Sequence, residues 1–145
     1  MIRLYADGLC EPRNPGGWAC WGWVALDDRG RIVASGRGTL GRGRGMTNNL
    51  AEYEAAIQAL SWAAQKQLRG VVLHVDSQLV ANQVAGLWGC YADHLRPLRD
   101  KVRHLLAAVD GRIQWVPRER NRLADAESRR AFEEVQRYGM YRSTT

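Results

Sequence analysis

The chain lacks any apolar stretch of the roughly 18 residues needed to cross a bilayer, which argues against a membrane protein. Its three cysteines are an odd number and form no Cys-x-x-Cys pair, which is typical of reduced thiols in the cytoplasm. Asp7 places an acid within the opening MIRLYADG, so we expect no signal peptide there. These features predict a cytoplasmic protein and argue against the membrane, secreted and disulfide-framework classes.

Lysine is scarce, because the 21 basic residues comprise 19 arginines and two lysines, against 15 acidic residues, for a formal charge of +6. The planar guanidinium group grips phosphate oxygens in pairs, so this bias fits a nucleic-acid partner. Genome base composition or adaptation to heat explains it equally well, since the arginines are scattered rather than gathered in one run. Charge alone therefore favours a polyanionic partner without identifying one.

The length of 145 residues suits one domain, residues 1–145, with a loose tail in the last few residues, and we expect a monomer. Apolar periodicity and turn residues predict strands at 2–6, 18–26, 31–40, 71–76 and 112–116, and helices at 49–68, 77–86, about 91–109 and 121 to about 138. Proline and glycine predict a loop over residues 8–17. Three consecutive strands favour an antiparallel meander, and strands separated by helices favour parallel additions to it. The fold class is mixed α/β.

Four carboxylates fall where such a sheet presents side chains to one edge: Asp7 ends the first strand, Asp76 ends the fourth, Glu52 begins the long helix and Asp125 begins the last one. Ligand sites of open α/β sheets gather outside the carboxyl ends of parallel strands. Carboxylates that share a place need cations, and hard oxygen ligands prefer Mg²⁺ or Mn²⁺. Two such ions about 3.5–4 Å apart can activate a water and stabilise the leaving oxygen of a phosphodiester. The pattern favours a metal-dependent nuclease.

Each acid also has a structural explanation. Asn49 and Glu52 have the spacing of a helix capping box, and Asp76 precedes a helix that it could cap. Asp125 suits the positive end of a helix, and Asp7 suits a turn. From the residues alone, these explanations stay open beside the metal site.

Four segments in order resemble type 1 ribonuclease H: Asp7-Gly8 with NPGGW at 14–18, TNNLAEY at 47–53, DSQLV at 76–80, and VPR with NRLAD within 116–125. They span residues 2 to about 135, with near-family spacing. A His-bearing glycine-rich loop before Asp125 and a basic handle at residues 86–100 are both missing from the sequence. Together with the opening DGLCEPRNPGG, these absences resemble the archaeal-type branch of the family.

The resemblance implies a ribonuclease H-like sheet of five strands, three antiparallel and two parallel, flanked by helices. It implies hydrolysis of the RNA strand of RNA–DNA hybrids, with two Mg²⁺ (or Mn²⁺) ions per site and products that carry 5′-phosphate and 3′-hydroxyl ends. The alternatives are a nuclease of this fold that acts on double-stranded RNA or another duplex, and a non-catalytic module that binds hybrids.

The resemblance also assigns roles to individual residues. It makes Asp7, Glu52, Asp76 and Asp125 the catalytic metal ligands, with Asp7 bridging both ions and Glu52 beside the RNA 2′-hydroxyl and the attacking water. An A-form-like duplex exposes 2′-hydroxyls in its wide, shallow minor groove. The implied contacts with the substrate are Gly8, Cys10, Asn14, Asn48, Asn49, Ser77 and Gln78, with Arg118 or Glu119 as weak substitutes for the missing His.

Overall fold

The computed structural model describes residues 1–143, with side chains through residue 138. The elements in chain order are β1 (Arg3–Glu11), β2 (Trp18–Leu26), β3 (Ile32–Arg42), α1 (Asn48–Gln65), β4 (Val72–Val75), α2 (Gln78–Ala85), α3 (Arg96–Ala108), β5 (Arg112–Trp115), a 3₁₀ turn (Arg118–Arg120) and α4 (Arg122–Ser143). Helix α4 ends at Ser143, and residues 144–145, where the predicted tail falls, lie outside the described residues.

The five strands form one sheet in the order β3-β2-β1-β4-β5. Strands β1, β2 and β3 pair antiparallel, and β4 and β5 continue the sheet parallel to β1. The predicted fold class and sheet are therefore confirmed. Within the described chain, every helix is too short or too polar to span a bilayer.

Helices cover both faces of the sheet. Helix α1 packs on β1 and β2 and also contacts α2 and α3. Helix α4 packs on β1, β2 and β3 from the opposite side of the sheet. The larger core lies under α1 and includes Leu4, Ala6 and Tyr53, and a smaller one under α4 includes Leu9 and Phe132. Strand β1 is central to both cores because alternate residues of a strand point to opposite faces.

Three predicted boundaries are wrong. Residues 8–11 belong to β1 rather than to a loop, because they continue the pairing with β2 as far as Glu11 opposite Trp18. Helix α3 begins at Arg96 rather than near residue 91, with Pro97 in its first turn, where the missing proline N–H removes no helical hydrogen bond. The last helix begins directly after Asn121, as predicted, but it continues to Ser143 rather than ending near residue 138.

Candidate active site

The register of the parallel pair brings Asp7 and Asp76 together. Pairing of β1 with β4 ends at Ala6 opposite Val75, so the next residue on each chain is an aspartate. Asp76 does follow the end of its strand, as predicted. Asp7 does not end its own strand, because β1 continues along β2, with Asp7 opposite Gly22. The two carboxylates therefore meet where β4 stops and β1 goes on.

Glu52 reaches this place from α1, because Gly8 lets the helix approach β1 closely. A Cβ on Gly8 would lie 2.3 Å from the backbone carbon of Ala51. Carboxylate oxygens of Asp7, Glu52 and Asp76 lie within 4.8 Å of one another. Asp7 is only 6% exposed and Glu52 only 5%, so the cluster is largely withdrawn from solvent.

Helix α4 supplies the other side of the site. Asp125 lies in its first turn and lines one cavity with Asp7 and Glu52. The hydroxyl of Ser128, one turn later, lies 3.3 Å from Asp7 Oδ2 and donates to the Asp125 carbonyl at 2.8 Å. Arg129 pairs with Glu11 and approaches Asp125 Oδ1 to 3.8 Å. All four predicted acids thus converge, although Asp125 lies outside the tight group of three.

Burial and mutual repulsion shift the titration of this cluster. Loss of hydration, together with the charges of Asp76 and Asp125, raises the pKa of Asp7 to about 8. Burial, followed by the charges of Asp7 and Asp76, also raises the pKa of Glu52 above its ordinary value. Without a cation, the cluster therefore retains protons at a pH where isolated carboxyl groups are ionised.

The donor set of the cluster fits a hard divalent cation. Glu52 Oε2 is buried and has no hydrogen-bond partner, a costly state that a cation would relieve. Three carboxylates offering one oxygen each within 4.8 Å match the all-oxygen ligands of Mg²⁺ and Mn²⁺. The four acids with Asn121 and Ser128 surround this candidate metal site.

The capping explanations for two of the acids are wrong. Thr47 caps α1 by accepting from the Leu50 N–H at 3.1 Å, so Asn49 and Glu52 do not form a capping box. Ser77 caps α2 by accepting from the Val80 N–H at 3.1 Å, which leaves Asp76 without that role. The turn explanation for Asp7 is also wrong, since it lies within β1, whereas Asp125 does occupy the first turn of its helix.

A cavity of about 150 Å³ opens beside the acids, and several predicted substrate contacts line it, namely Gly8, Cys10, Asn48 and Arg118. Asn14 lies next to them, because its Oδ1 accepts from the backbone N–H of Asn48 at 2.9 Å. The remaining candidates, Asn49, Ser77 and Gln78, lie at the N-terminal ends of α1 and α2. Glu119 lines a different cavity, with Tyr5 and Leu26.

Sequence reasoning missed three residues that shape the site. Gly22 lies among apolar strand residues with no signal of a role, yet a Cβ there would lie 2.4 Å from the backbone nitrogen of Ser128. Ser128 itself stands in a helix without a motif. Asn121 does carry a signal, because it opens the last helix, but its side chain is turned inward to Ala6 and Asp76 rather than to the helix end.

This sheet order, with acids from β1, α1, the end of β4 and α4 gathered at one edge, defines a ribonuclease H-like domain. The chain belongs to the Reverse transcriptase-like family, whose model matches residues 7–131. The predicted resemblance is therefore confirmed at the level of the family.

Individual relatives agree with this assignment. Ribonuclease HI of Halobacterium salinarum is 41% identical over 135 residues, which are 92% of this chain and 65% of that protein. The crystal structure of RNase H1 from that archaeon superposes with a TM-score of 0.82 at 40% identity, covering 92% of this chain and 98% of the other. LC11-RNase H1, isolated from compost and solved in complex with an RNA/DNA hybrid, gives a TM-score of 0.84 at 27% identity, over 94% and 99% of the two chains.

Some relatives are much longer. The Bifunctional protein Rv2228c of Mycobacterium tuberculosis is 32% identical over 127 residues, covering 86% of this chain but 33% of that protein. The chain thus spans about two thirds of the Halobacterium protein and one third of the mycobacterial one.

Proposed function

We propose that this chain is a ribonuclease H that hydrolyses the RNA strand of RNA–DNA hybrids by a two-metal-ion mechanism, leaving 5′-phosphate and 3′-hydroxyl ends. The observation that carries the proposal is the close group of buried Asp7 and Glu52 with half-buried Asp76, in which one oxygen of Glu52 lacks any partner. A module that only binds hybrids gains nothing from buried negative charge facing phosphates. A catalytic site therefore explains these acids better than a non-catalytic binding module does.

The residues that would hold two Mg²⁺ or Mn²⁺ ions are Asp7, Glu52, Asp76 and Asp125. Bound there, such ions supply an activated water and charge stabilisation for the leaving 3′-oxygen. Asp7 lies in the tight group with Glu52 and Asp76 and lines one cavity with Asp125, which supports the proposal that it would be a ligand of both ions. Asp125 lies outside the tight group of three, with 39% of its side chain exposed, so it suits a ligand whose ion exchanges with solvent.

Glu52 is proposed to face the reacting end of the RNA strand. Its backbone lies close against Gly8, and its side chain is only 5% exposed, so the carboxylate is confined beside Asp7 and Asp76. A carboxylate held in this way can align the attacking water and accept a hydrogen bond from the neighbouring 2′-hydroxyl. That hydroxyl is the group by which a protein distinguishes RNA from DNA.

Arg118 is proposed to contact the phosphate beside the acids. It lines the same cavity as Asp7, Glu52 and Asp125, whereas Glu119 lines another. A guanidinium group on the wall of an acidic cavity can bind phosphate oxygens and stabilise the charge that develops on them. Arg118 is therefore the better of the two candidates for the function of the missing His.

The surface beside the cavity suits the minor groove of a hybrid. Asn48 lines the cavity with the acids, and its backbone N–H donates to the side-chain oxygen of Asn14. The N-terminal ends of α1 and α2 add Asn49, Ser77 and Gln78. The hybrid bound to LC11-RNase H1 supports this type of substrate for the present chain. Double-stranded RNA presents the same hydroxyls, and the assay below distinguishes it.

The test is a cleavage assay with the labelled strand in four settings: RNA–DNA hybrid, double-stranded RNA, double-stranded DNA and single strands. We expect cutting of the RNA in the hybrid with Mg²⁺ or Mn²⁺ and none with EDTA. Ligation of the downstream product without prior kinase treatment checks for the 5′-phosphate. An intact hybrid after long incubation with both metals would overturn the proposal. Equal cutting of double-stranded RNA would show that the enzyme is not specific for RNA–DNA hybrids.

We also propose that residues 1–145 form one domain that acts as a monomer in the cytoplasm. The packing of α1 and α4 on opposite faces of the same sheet supports one domain. Cys10, Cys20 and Cys90 are buried thiols, which fits a reducing compartment.

A further inference from the structure

We propose that Asn121 is a positioning residue of the candidate metal site, whose side-chain amide fixes the carboxylate of Asp76 relative to Asp7. This inference rests on the proposed function, since it concerns how the same cluster holds its cations. Asn121 is not one of the four acids that would contact an ion, and it lies outside the tight group of three.

The amide of Asn121 bridges two chain segments at the place where their pairing ends. Its Nδ2 donates to the carbonyl oxygen of Ala6 and to Asp76 Oδ2, both at 2.9 Å. Ala6 and Val75 are the last pair of the β1–β4 ladder, so the backbone ladder does not extend to the two aspartates. The two hydrogen bonds of Asn121 therefore connect the β1 and β4 segments just beyond the last pair of the ladder.

The orientation of this amide is fixed by chemistry. Asn121 is only 1% exposed, and both its N–H groups point at acceptors, a carbonyl oxygen and a carboxylate oxygen. Turning the amide over would place Oδ1 against those two acceptors, so the alternative is strongly unfavourable. In the observed orientation Oδ1 is buried without a partner, which costs free energy. The unpaired Oδ1 therefore destabilises the fold, whereas the hydrogen bond from Nδ2 fixes the carboxylate of Asp76.

Helix capping does not explain the side chain. An N-cap uses its side-chain oxygen to accept from the first turn of the helix, and the oxygen of Asn121 has no partner. Only the backbone carbonyl of Asn121 serves α4, by accepting from the N–H of Asp125 at 3.0 Å. The position at the helix start brings Asn121 to the site, and its side chain acts on Asp76.

Asp76 needs such a partner more than the other two acids do. Asp7 and Glu52 are buried between strand and helix, whereas Asp76 is half-buried and lies beyond the end of its strand. Its backbone carbonyl accepts from the indole N–H of Trp115 at 3.1 Å, which holds the main chain but not the carboxylate. A charge-assisted hydrogen bond from Asn121 keeps the carboxylate turned toward Asp7 against their mutual repulsion. Outer partners that orient a metal ligand typically change metal affinity by about 10–100-fold when removed.

The experiment compares Asn121→Ala with wild type by isothermal titration of Mn²⁺ alone, without nucleic acid. Tyr53→Phe is the matched control, because it removes another buried side-chain hydrogen bond, Tyr53 Oη to Gln83 Oε1 at 2.7 Å, in which none of the four acids takes part. We expect both variants to melt at lower temperature than wild type in EDTA. We expect Asn121→Ala to bind Mn²⁺ roughly 10-fold or more weakly, and Tyr53→Phe to bind it like wild type.

The outcomes separate this inference from the function on which it rests. If wild type binds no Mn²⁺, the proposed function fails and the inference falls with it. If wild type binds Mn²⁺ and Asn121→Ala binds it equally well, or Tyr53→Phe loses as much affinity, only the positioning role is overturned. Should Asn121→Ala not fold, Asn121→Ser replaces it, because a hydroxyl retains one donor. We then expect an affinity several-fold below wild type, and an unchanged affinity would overturn the inference.

Discussion

Asp7 and Gly22 lie directly opposite each other across the β1–β2 ladder. The absence of a side chain at Gly22 lets the backbone of α4 approach β2, since a Cβ there would lie 2.4 Å from Ser128 N and 2.6 Å from Glu127 Cβ. The same helix carries Asp125 and Ser128 to Asp7. A glycine on a neighbouring strand thus decides how closely the fourth acid approaches the first.

We therefore expect Gly22→Ala to push α4 away from the sheet. The added methyl group meets backbone, which cannot move aside as a flexible side chain can, so we expect a loss of about 1–3 kcal/mol in the free energy of unfolding, with slower hydrolysis. Urea denaturation and the hybrid assay measure the two effects. Gly89→Ala is the control, because the three atoms nearest to its Cβ would belong to the ring of Tyr91, which is 88% exposed and free to shift. Equal stability of the two variants would contradict this role of Gly22.

The raised pKa of Asp7 predicts that the metal-free protein loses stability as pH rises. In the unfolded chain the pKa of this carboxyl group has its ordinary value of 3.8, and in the folded chain it is about 8. Between these values the folded state binds more protons than the unfolded state, so the free energy of unfolding falls from about pH 4 to about pH 8. Thermal melts in EDTA across this range, compared with the same melts in Mg²⁺, measure the effect. We expect Asp7→Asn to have a flatter profile in EDTA, and identical pH slopes would refute the assignment.

The four acids should differ in how much hydrolysis depends on them. Asp7→Asn and Asp76→Asn remove oxygens of the tight group, and we expect the rate to fall by about 10³-fold, the scale seen on loss of a group that stabilises charge in the transition state. We expect the rate of hydrolysis to fall by only about 10-fold in Asp125→Asn, because an amide oxygen can still act as an outer ligand. Single-turnover rates with Mg²⁺ and with Mn²⁺ check the order. A fully active Asp7→Asn would rule out the site.

Replacing Arg118 should weaken contact with the phosphate. Removing one such contact is expected to lower the slope of log affinity against log salt by about 0.7–0.9, since one counterion fewer is released. We expect Arg118→Ala to show this change in binding to a hybrid in Ca²⁺, together with a lower kcat in Mg²⁺. Glu119→Gln is the neighbouring control, because Glu119 lines the other cavity and should leave kcat within twofold of wild type. A larger loss of kcat in Glu119→Gln than in Arg118→Ala would reverse the assignment.

The sequence predicts the parts of the site that depend on local pattern. The apolar run ending at Asp76 predicts a buried strand with an acid behind it, and the structure has that strand. The end of β1 is not predictable in this way, because residues 8–11 carry glycine and proline signals nearby and are strand only through pairing with β2. The same limit applies to Asn121, since an asparagine that opens a helix looks identical whether it caps the helix or faces a distant aspartate. Its partners, Ala6 and Asp76, are 115 and 45 residues away.

Strand β1 is held unequally along its two edges. Nine residues of β1, from Arg3 to Glu11, pair with β2, but only four, Arg3 to Ala6, pair with β4. From Asp7 onward, the peptide groups of the β4-side edge face no other strand of the described chain. Gly8, Leu9 and Cys10 of this segment line the cavity beside the acids. If the proposed hydrolysis takes place in that cavity, we expect ions and product strands to exchange without separation of any strand of the sheet.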